Sequence, residues 1–209
     1  MSAYPIERAV DEAGFPIKQG VFVAVAGPSG SGKDSLIAYA RDRLGHLRND
    51  VVFARRVITR PAVPGTEEHD TLSEADFESA RAADRFALSW RANGLSYGLP
   101  VSLDDAMRAG RVVVANVSRA VIPQLSERYA QVMPVIVIAP RNVLARRLSS
   151  RGRETMEEVL ARLERSEAGM IPVPGAIVID NSGSLEIAGN RFLEALRKAT
   201  AWSDIRDRV

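Results

Sequence analysis

The feature that most constrains what this chain can fold into is the stretch Gly27–Ser35, reading GPSGSGKDS, set directly behind the apolar run Val21–Ala26. Gly27, Gly32 and Lys33 stand at the spacing of a phosphate-binding loop, in which a glycine is followed after four residues by Gly-Lys. Gly27, Gly30 and Gly32 let the backbone fold around an anion with its N–H groups pointing inward, and Lys33 then reaches the outer phosphates. A Gly/Ser turn between a strand and a helix would account for the glycines, but not for a lysine at the mouth of that helix. An apolar strand before the loop and an amphipathic segment after it (Leu36, Ile37, Tyr39, Ala40, Leu44) supply the context that a bare match lacks. The stretch is read as a triphosphate cradle, with Gly27, Ser29, Gly30, Ser31, Gly32, Lys33, Asp34 and Ser35 as candidate nucleotide-binding residues. Only the last motif position departs from the pattern: Asp34 stands where Ser or Thr normally ligates magnesium. Asp34 is either a hard oxygen ligand in that place or a favourable charge in the first turn of a helix.

Four more short apolar runs follow: Val51–Ile58, Arg111–Val117, Pro134–Ala139 and Ala176–Asp180. Helical stretches are expected at about Gly32–Leu44, Val121–Tyr129, Asn142–Ser150 and Leu185–Thr200, with a capping-box start at Ser73–Asp76, a helix after Pro100 to about Ala109, and another opened by Thr155–Glu158. Residues 1–20 read as a loosely attached lead-in, residues 61–70 as a turn-rich segment and residues 92–98 as turn-like. Five buried strands alternating with helices predict an α/β fold with a five-stranded parallel sheet wrapped on both faces. In such sheets ligands sit at the carboxyl ends of the strands. That edge should carry Gly27–Ser35, Arg55–Arg60, Asn116–Arg119 and the segment after Pro140.

With 209 residues the chain suits one domain with subregions. No run of eighteen apolar residues and no secretory leader is visible, so no membrane partner and a cytoplasmic location are expected. The absence of cysteine removes disulfides, thiolate zinc sites and thiol catalysis, and two histidines leave no His-rich metal site. A net charge of +2 gives no reason to expect a nucleic-acid surface. Yet 25 arginines stand against three lysines, and arginine offers a planar fork suited to phosphates.

Phosphoryl transfer asks a protein for positioning, magnesium and positive charge around the transferred group. Arg55, Arg56 and Arg60 lie at a strand end and supply candidates for the acceptor. Arg55 and Arg56 must point to opposite faces of a strand, so at most one of them shares a site with Arg60. Tyr97 is a phenol donor to the same phosphate. Around the Gly152 break lie Arg146, Arg147, Arg151, Arg153, Arg162 and Arg165; most suit a solvated helix face with glutamate partners, and Arg151 and Arg162 are chosen for a role over the phosphates.

The motifs GPSGSGK, TRP with Gly65 soon after, Phe86 with Gly94 and Tyr97-Gly98 beyond it, and RLSSRGR with EEVLAR together resemble the guanylate kinase superfamily from Val21 to Leu196. The resemblance implies a P-loop core (about 21–54, 101–148 and 168–200), an inserted acceptor-binding region (about 55–100) and an arginine lid (about 149–165) within one domain. It matches Arg60 to the acceptor-phosphate arginine, Tyr97 to the phosphate-binding tyrosine, and Arg151 and Arg162 to the lid arginines, which act in catalysis beside Lys33. A second family arginine falls on Val63, the guanine-reading glutamate on Leu88, and the paired acids after the third strand on Asn116 and Ser118. A site that reads a base by hydrogen bonds loses orders of magnitude without those partners, which argues against guanosine monophosphate.

These departures, with GKDS, RRVITRPA, FALSWRANGLSYGLP and VANVSRA, resemble the ribose 1,5-bisphosphate phosphokinase branch of that superfamily. The likeness implies an enzyme of phosphonate breakdown that uses ATP and Mg2+ to convert the small sugar phosphate to 5-phosphoribosyl 1-diphosphate. The acceptor oxygen is then already ionised, so no strong general base is needed. Arg56, Arg119 and His69 are candidate ligands of the acceptor's phosphates, Asp34 of the metal, and Asp180-Asn181 resembles an adenine-side turn. Two other readings compete: another small-molecule kinase, guanylate kinase included, and a catalytically dead guanylate kinase-like binding module. Such modules typically lose the loop glycines and lysine, which are intact here.

Overall fold

The computed structural model describes residues 16–62, 68–150, 163 and 173–206. The apolar run ahead of the loop forms β1 (Val21–Ala26), buried at every position. It lies at the centre of a five-stranded parallel sheet ordered β2 (Val51–Phe53), β7 (Val112–Asn116), β1, β8 (Val132–Ile138), β9 (Ile177–Asp180). A strand in that position is covered on both faces, which is why its sequence is a continuous apolar run rather than an alternating one. Phe22, Ala24 and Ala26 join one core cluster, to which α3 (Leu103–Arg108) contributes Leu103, Ala106 and Met107 and α4 (Ile122–Arg128) contributes Ile122 and Leu125. Val21, Val23 and Val25 join the other, with Leu36 and Ala40 of α1 (Lys33–Arg43) and Phe192 and Leu196 of α6 (Leu185–Arg206). Among the described residues no helix is long and apolar enough to cross a membrane.

The run Val51–Ile58, read as one strand, is broken in two. β2 stops at Phe53, where Ala54 still donates its N–H to Val114 O at 2.8 Å, and β3 (Arg56–Ile58) leaves for a second sheet. That sheet has the order β4 (His69–Thr71), β3, β6 (Leu95–Pro100), β5 (Phe86–Ala92). β5 and β6 form a hairpin around Asn93 and Gly94, at φ 50° and 74°, a pair suited to a tight two-residue turn. The turn-like reading of residues 92–98 therefore holds only for these two, and Leu95–Pro100 is strand. On the outer face lies α2 (Glu74–Ala82), capped by Ser73, whose hydroxyl accepts from the Asp76 N–H. Phe77 of α2 stacks on Phe86 with ring centres 4.6 Å apart. On the inner face Leu88, Trp90 and Leu99 belong to the same core cluster as Ala26 and Ala115, which anchors the second sheet at the carboxyl edge of the first.

The end of the lead-in is not loose. Ile17 is 2 % exposed, donates its N–H to Arg128 O and accepts from Ala130 N–H. Below it Phe22 stacks on Tyr129, and the Tyr129 hydroxyl donates to Asp104 Oδ1 at 2.7 Å. Arg128 grips the same carboxylate with both Nε and a terminal nitrogen, in a pair buried from solvent. Burial, followed by the neighbouring Asp104 carboxylate, pushes the Tyr129 phenol far above its ordinary range.

Candidate active site

All five strands of the parallel sheet deliver their carboxyl ends to one edge, and the loop after β1 sits at its middle. Gly27 has φ 151°, and a side chain there would run into Val137 O of β8. Gly32 has φ 87°, and a Cβ there would strike the amide nitrogen of Asn181. Both glycines are demanded by close approach and by backbone angle together. No side chain caps α1 at Gly32, so the N–H groups of its first turn are available to an anion. Lys33 curls over the loop, with Nζ donating to Gly27 O at 2.9 Å and Pro28 O at 3.0 Å.

The loop is braced from behind by two residues. Asn181, 3 % exposed and just past β9, donates Nδ2 to Ser31 O at 2.7 Å. Arg147 lies on α5 (Arg141–Ser149) and reaches both parts: one guanidinium nitrogen donates to Asn181 O at 2.9 Å and another to Gly30 O at 3.4 Å. A solvated helix face with glutamate partners is the sequence expectation for most of the arginines in this segment. For Arg147 it is wrong, because its guanidinium is spent on backbone carbonyls of the loop and the β9 turn. The sequence offers one hint, since Arg147 directly precedes Leu148, which is buried on Leu144 and Leu163. Asp34, exposed on α1, accepts a hydrogen bond at 2.7 Å from Asn116 Nδ2 at the end of β7. The sequence reading places Asn116 at this edge and as the loss of an acid but gives it no partner, so this contact was missed.

The second sheet brings three of the acceptor candidates together, Arg56, His69 and Tyr97. In the register of β3, Arg56 lies beside His69 and Ile58 beside Tyr97. The Arg56 guanidinium lies 5.2 Å from the centre of the Tyr97 ring, and that ring stacks on Trp90 with centres 5.3 Å apart and planes at 8°. Arg55 goes the other way, as strand alternation requires, to an exposed ion pair with Asp70 at 2.7 Å. Arg60 follows β3, its carbonyl held by the Thr71 hydroxyl at 3.0 Å. Arg119 stands three residues past Asn116, half-buried, and burial lowers its pKa from the free value. Arg151, Arg162 and Val63 lie outside the described residues.

Three side-chain atoms among the described residues are buried without a hydrogen-bond partner: Ser31 Oγ in the loop, and Arg60 Nε and His69 Nε2 in the second sheet's region. Buried polar atoms are paired almost everywhere in folded proteins, so each of these exceptions calls for a further partner, whether a water, an ion or a group of a bound ligand. His69 Nδ1 donates to the Asp70 carbonyl at 3.2 Å, which leaves Nε2 as an acceptor in the neutral ring and a donor only in the cation. No group of three or more His, Asp or Glu side chains that could hold a metal occurs among the described residues. A magnesium ion here would lean on one or two protein oxygens and on nucleotide phosphates, which is its usual habit in kinases.

Comparisons with known proteins bear on the family and the fold of the chain. A family model described as an AAA domain matches residues 23–170. A ribose 1,5-bisphosphate phosphokinase PhnN of Chelativorans sp. (strain BNC1) is 69% identical over 209 residues, covering 100% of both chains. The protein of the same name from Brucella melitensis biotype 2 is 50% identical over 182 residues, covering 86% of this chain and 93% of its own. Among solved structures, a guanylate kinase from Anaplasma phagocytophilum superposes with a TM-score of 0.60 at 19% identity, covering 87% of each chain. At that identity the match speaks for the P-loop kinase fold alone.

Proposed function

The chain belongs to the ribose 1,5-bisphosphate phosphokinase family, and from that premise we propose how its residues divide the reaction between donor and acceptor. It is a kinase that transfers the γ-phosphoryl group of ATP to ribose 1,5-bisphosphate, giving ADP and 5-phosphoribosyl 1-diphosphate in phosphonate catabolism. The observation that carries the division is the trio of unpartnered buried polar atoms, one in the loop and two beside the second sheet. They fit phosphate or sugar oxygens at two places, as a donor and an acceptor require.

Residues 27–35 hold the triphosphate. Backbone N–H groups and Ser31 and Ser35 take the inner phosphates, with Ser29 at the loop mouth, and Lys33 exchanges the Gly27 and Pro28 carbonyls for β- and γ-oxygens. Asn181 and Arg147 keep the loop from opening. Arg56, Arg60, Tyr97, His69 and Arg119 receive the sugar bisphosphate in the region 55–100. An oxygen of its 1-phosphate attacks the γ-phosphorus, the bond to the bridging β–γ oxygen breaks, and the electron pair leaves on ADP. The attacking oxygen is already ionised, so no base is required, consistent with Asn116 and Ser118 in place of acids. Arg151 and Arg162 of the segment 149–165 serve as the covering cations. Asp34 is the residue that would hold magnesium, whose chemistry there is to neutralise charge on the β- and γ-oxygens. Leu88, which stands where the resemblance puts the guanine-reading glutamate, is buried and offers no hydrogen-bonding group to a base. ATP and a sugar bisphosphate are charged and membrane-impermeant, so the enzyme must share their compartment, which supports a cytoplasmic reaction.

The test is direct. Purified protein is incubated with ATP, Mg2+ and ribose 1,5-bisphosphate, and 31P NMR follows the new diphosphate. Robust turnover of guanosine monophosphate in its place would overturn the acceptor assignment.

A further inference from the structure

Asp34 is exposed on the first turn of α1, whereas Asn116 closes β7 and is 8 % exposed. The hydrogen bond between them, Asn116 Nδ2 to Asp34 Oδ1 at 2.7 Å, joins residues 82 apart in the chain. A carboxylate only accepts, so the contact sets the Asn116 amide with its nitrogen toward Asp34. In P-loop NTPases at large the pair has the opposite polarity: the residue after the lysine offers a hydroxyl, and a carboxylate at a strand end completes the metal site. Here the carboxylate stands on the helix and a neutral amide stands at the strand end. One negative charge is kept, and its carrier is exchanged. An acid at position 116 would face Asp34 at hydrogen-bond distance as a like charge, so carrying the carboxylate on the helix favours an uncharged donor on the strand.

We propose that Asn116 is a positioning residue, holding Asp34 Oδ1 so that Oδ2 is presented to the nucleotide phosphates as the magnesium-binding oxygen. The inference rests on Asp34 being the metal-binding residue. A lone aspartate on an exposed helical turn samples several rotamers. A donor fixed in the parallel register beside Val25, two residues before the loop, selects one of them. With no cluster of three metal-binding side chains among the described residues, the orientation of this single carboxylate sets how well the ion is held.

The test is a titration of the ADP-bound protein with Mn2+ followed by electron paramagnetic resonance, which needs no turnover. ADP affinity in EDTA and thermal melting report loop and fold separately. The Asp34→Asn variant should lose the tight Mn2+ site. The Asn116→Ala variant should bind Mn2+ about ten- to a hundredfold more weakly, the range seen when the partner orienting a metal ligand is removed, with metal-free ADP affinity unchanged. The Asp34→Ser/Asn116→Asp double variant, which restores the common polarity, should recover Mn2+ binding to within a few-fold, and Asp34→Ser alone should not. Wild-type Mn2+ affinity in Asp34→Asn overturns the ligand reading of Asp34 and the inference with it. A defect in Asp34→Asn with wild-type affinity in Asn116→Ala overturns the role of Asn116 alone. Should Asn116→Ala not fold, the double variant decides: no better Mn2+ binding than Asp34→Ser overturns the exchange of roles.

Discussion

Arg56 rests its guanidinium against the ring of Tyr97, 5.2 Å from the ring centre, and the arginine is 8 % exposed. Tyr97 in turn stacks on Trp90, so a cation, a phenol and an indole share one face of the small sheet. The arrangement stiffens two acceptor candidates through cation–π and ring-stacking contacts. Trp90→Ala should cost about 3 kcal/mol or more of stability, the usual penalty for emptying a buried aromatic site. In kinetics it should raise KM for the sugar bisphosphate more than KM for ATP, while Trp90→Phe keeps the stack and most of the affinity. Steady-state assays at varied concentrations of each substrate separate the two effects.

Arg60 and Arg55 lie five residues apart and should behave differently. Arg60→Ala should weaken acceptor binding more than ATP binding, since its buried Nε has no internal partner. Arg55→Ala removes an exposed ion pair with Asp70 and should change stability by no more than about 1 kcal/mol. Isothermal titration with each substrate measures the contrast; equal losses for both substrates in Arg60→Ala would refute the division of labour.

Lys33→Ala should lower kcat by about a hundredfold or more, the scale expected when one preorganised charge donor to a transition state is lost. The fold should survive, because Lys33 is only partly buried and its ammonium is bonded to the loop carbonyls of Gly27 and Pro28. Circular dichroism and turnover on the same sample check both statements.

The buried Asp104–Arg128–Tyr129 cluster should be the costliest polar group to break. Asp104→Ala strands the Arg128 charge and the Tyr129 hydroxyl together, and about 3–5 kcal/mol of destabilisation is expected, measured by urea unfolding. Substrate affinities of the folded fraction should be unaffected.

Glu74 gives a pH signature. The Ser96 hydroxyl, with Thr59 and then Arg91, holds the Glu74 carboxyl below its ordinary value of 4.5. A group lowered in the folded state adds stability above its unfolded pKa and loses it as the pH falls through the folded one. The melting-temperature gap between the wild type and Glu74→Gln should therefore be full at neutral pH and close on acidification below about 4.5.

Much of the fold and of the donor half of the site was legible in the linear chain. Spacing alone identifies Gly27, Gly32 and Lys33, because a loop that closes on a phosphate is a local object. Buried parallel strands declare themselves as continuous apolar runs, and the bounds of α1 and α5 fall within a residue or two of expectation. What stayed hidden depends on which distant segments lie side by side. The break between Phe53 and Arg56 arises because β2 pairs with β7 while β3 pairs with β4 and β6, a choice invisible in a run of β-branched residues. Ile17 is bound rather than loose because the end of α4 offers it backbone partners. Arg147 became a brace of the loop, and Asn116 a partner of Asp34, only when five strands stacked in register delivered their ends to one edge. Residue type and spacing picked out the loop that is proposed to hold the triphosphate. The tertiary structure decided which arginine braces the loop, which rests on Tyr97 and which amide meets the odd aspartate, because a contact is set by distance and angle in space, and separation along the chain carries neither.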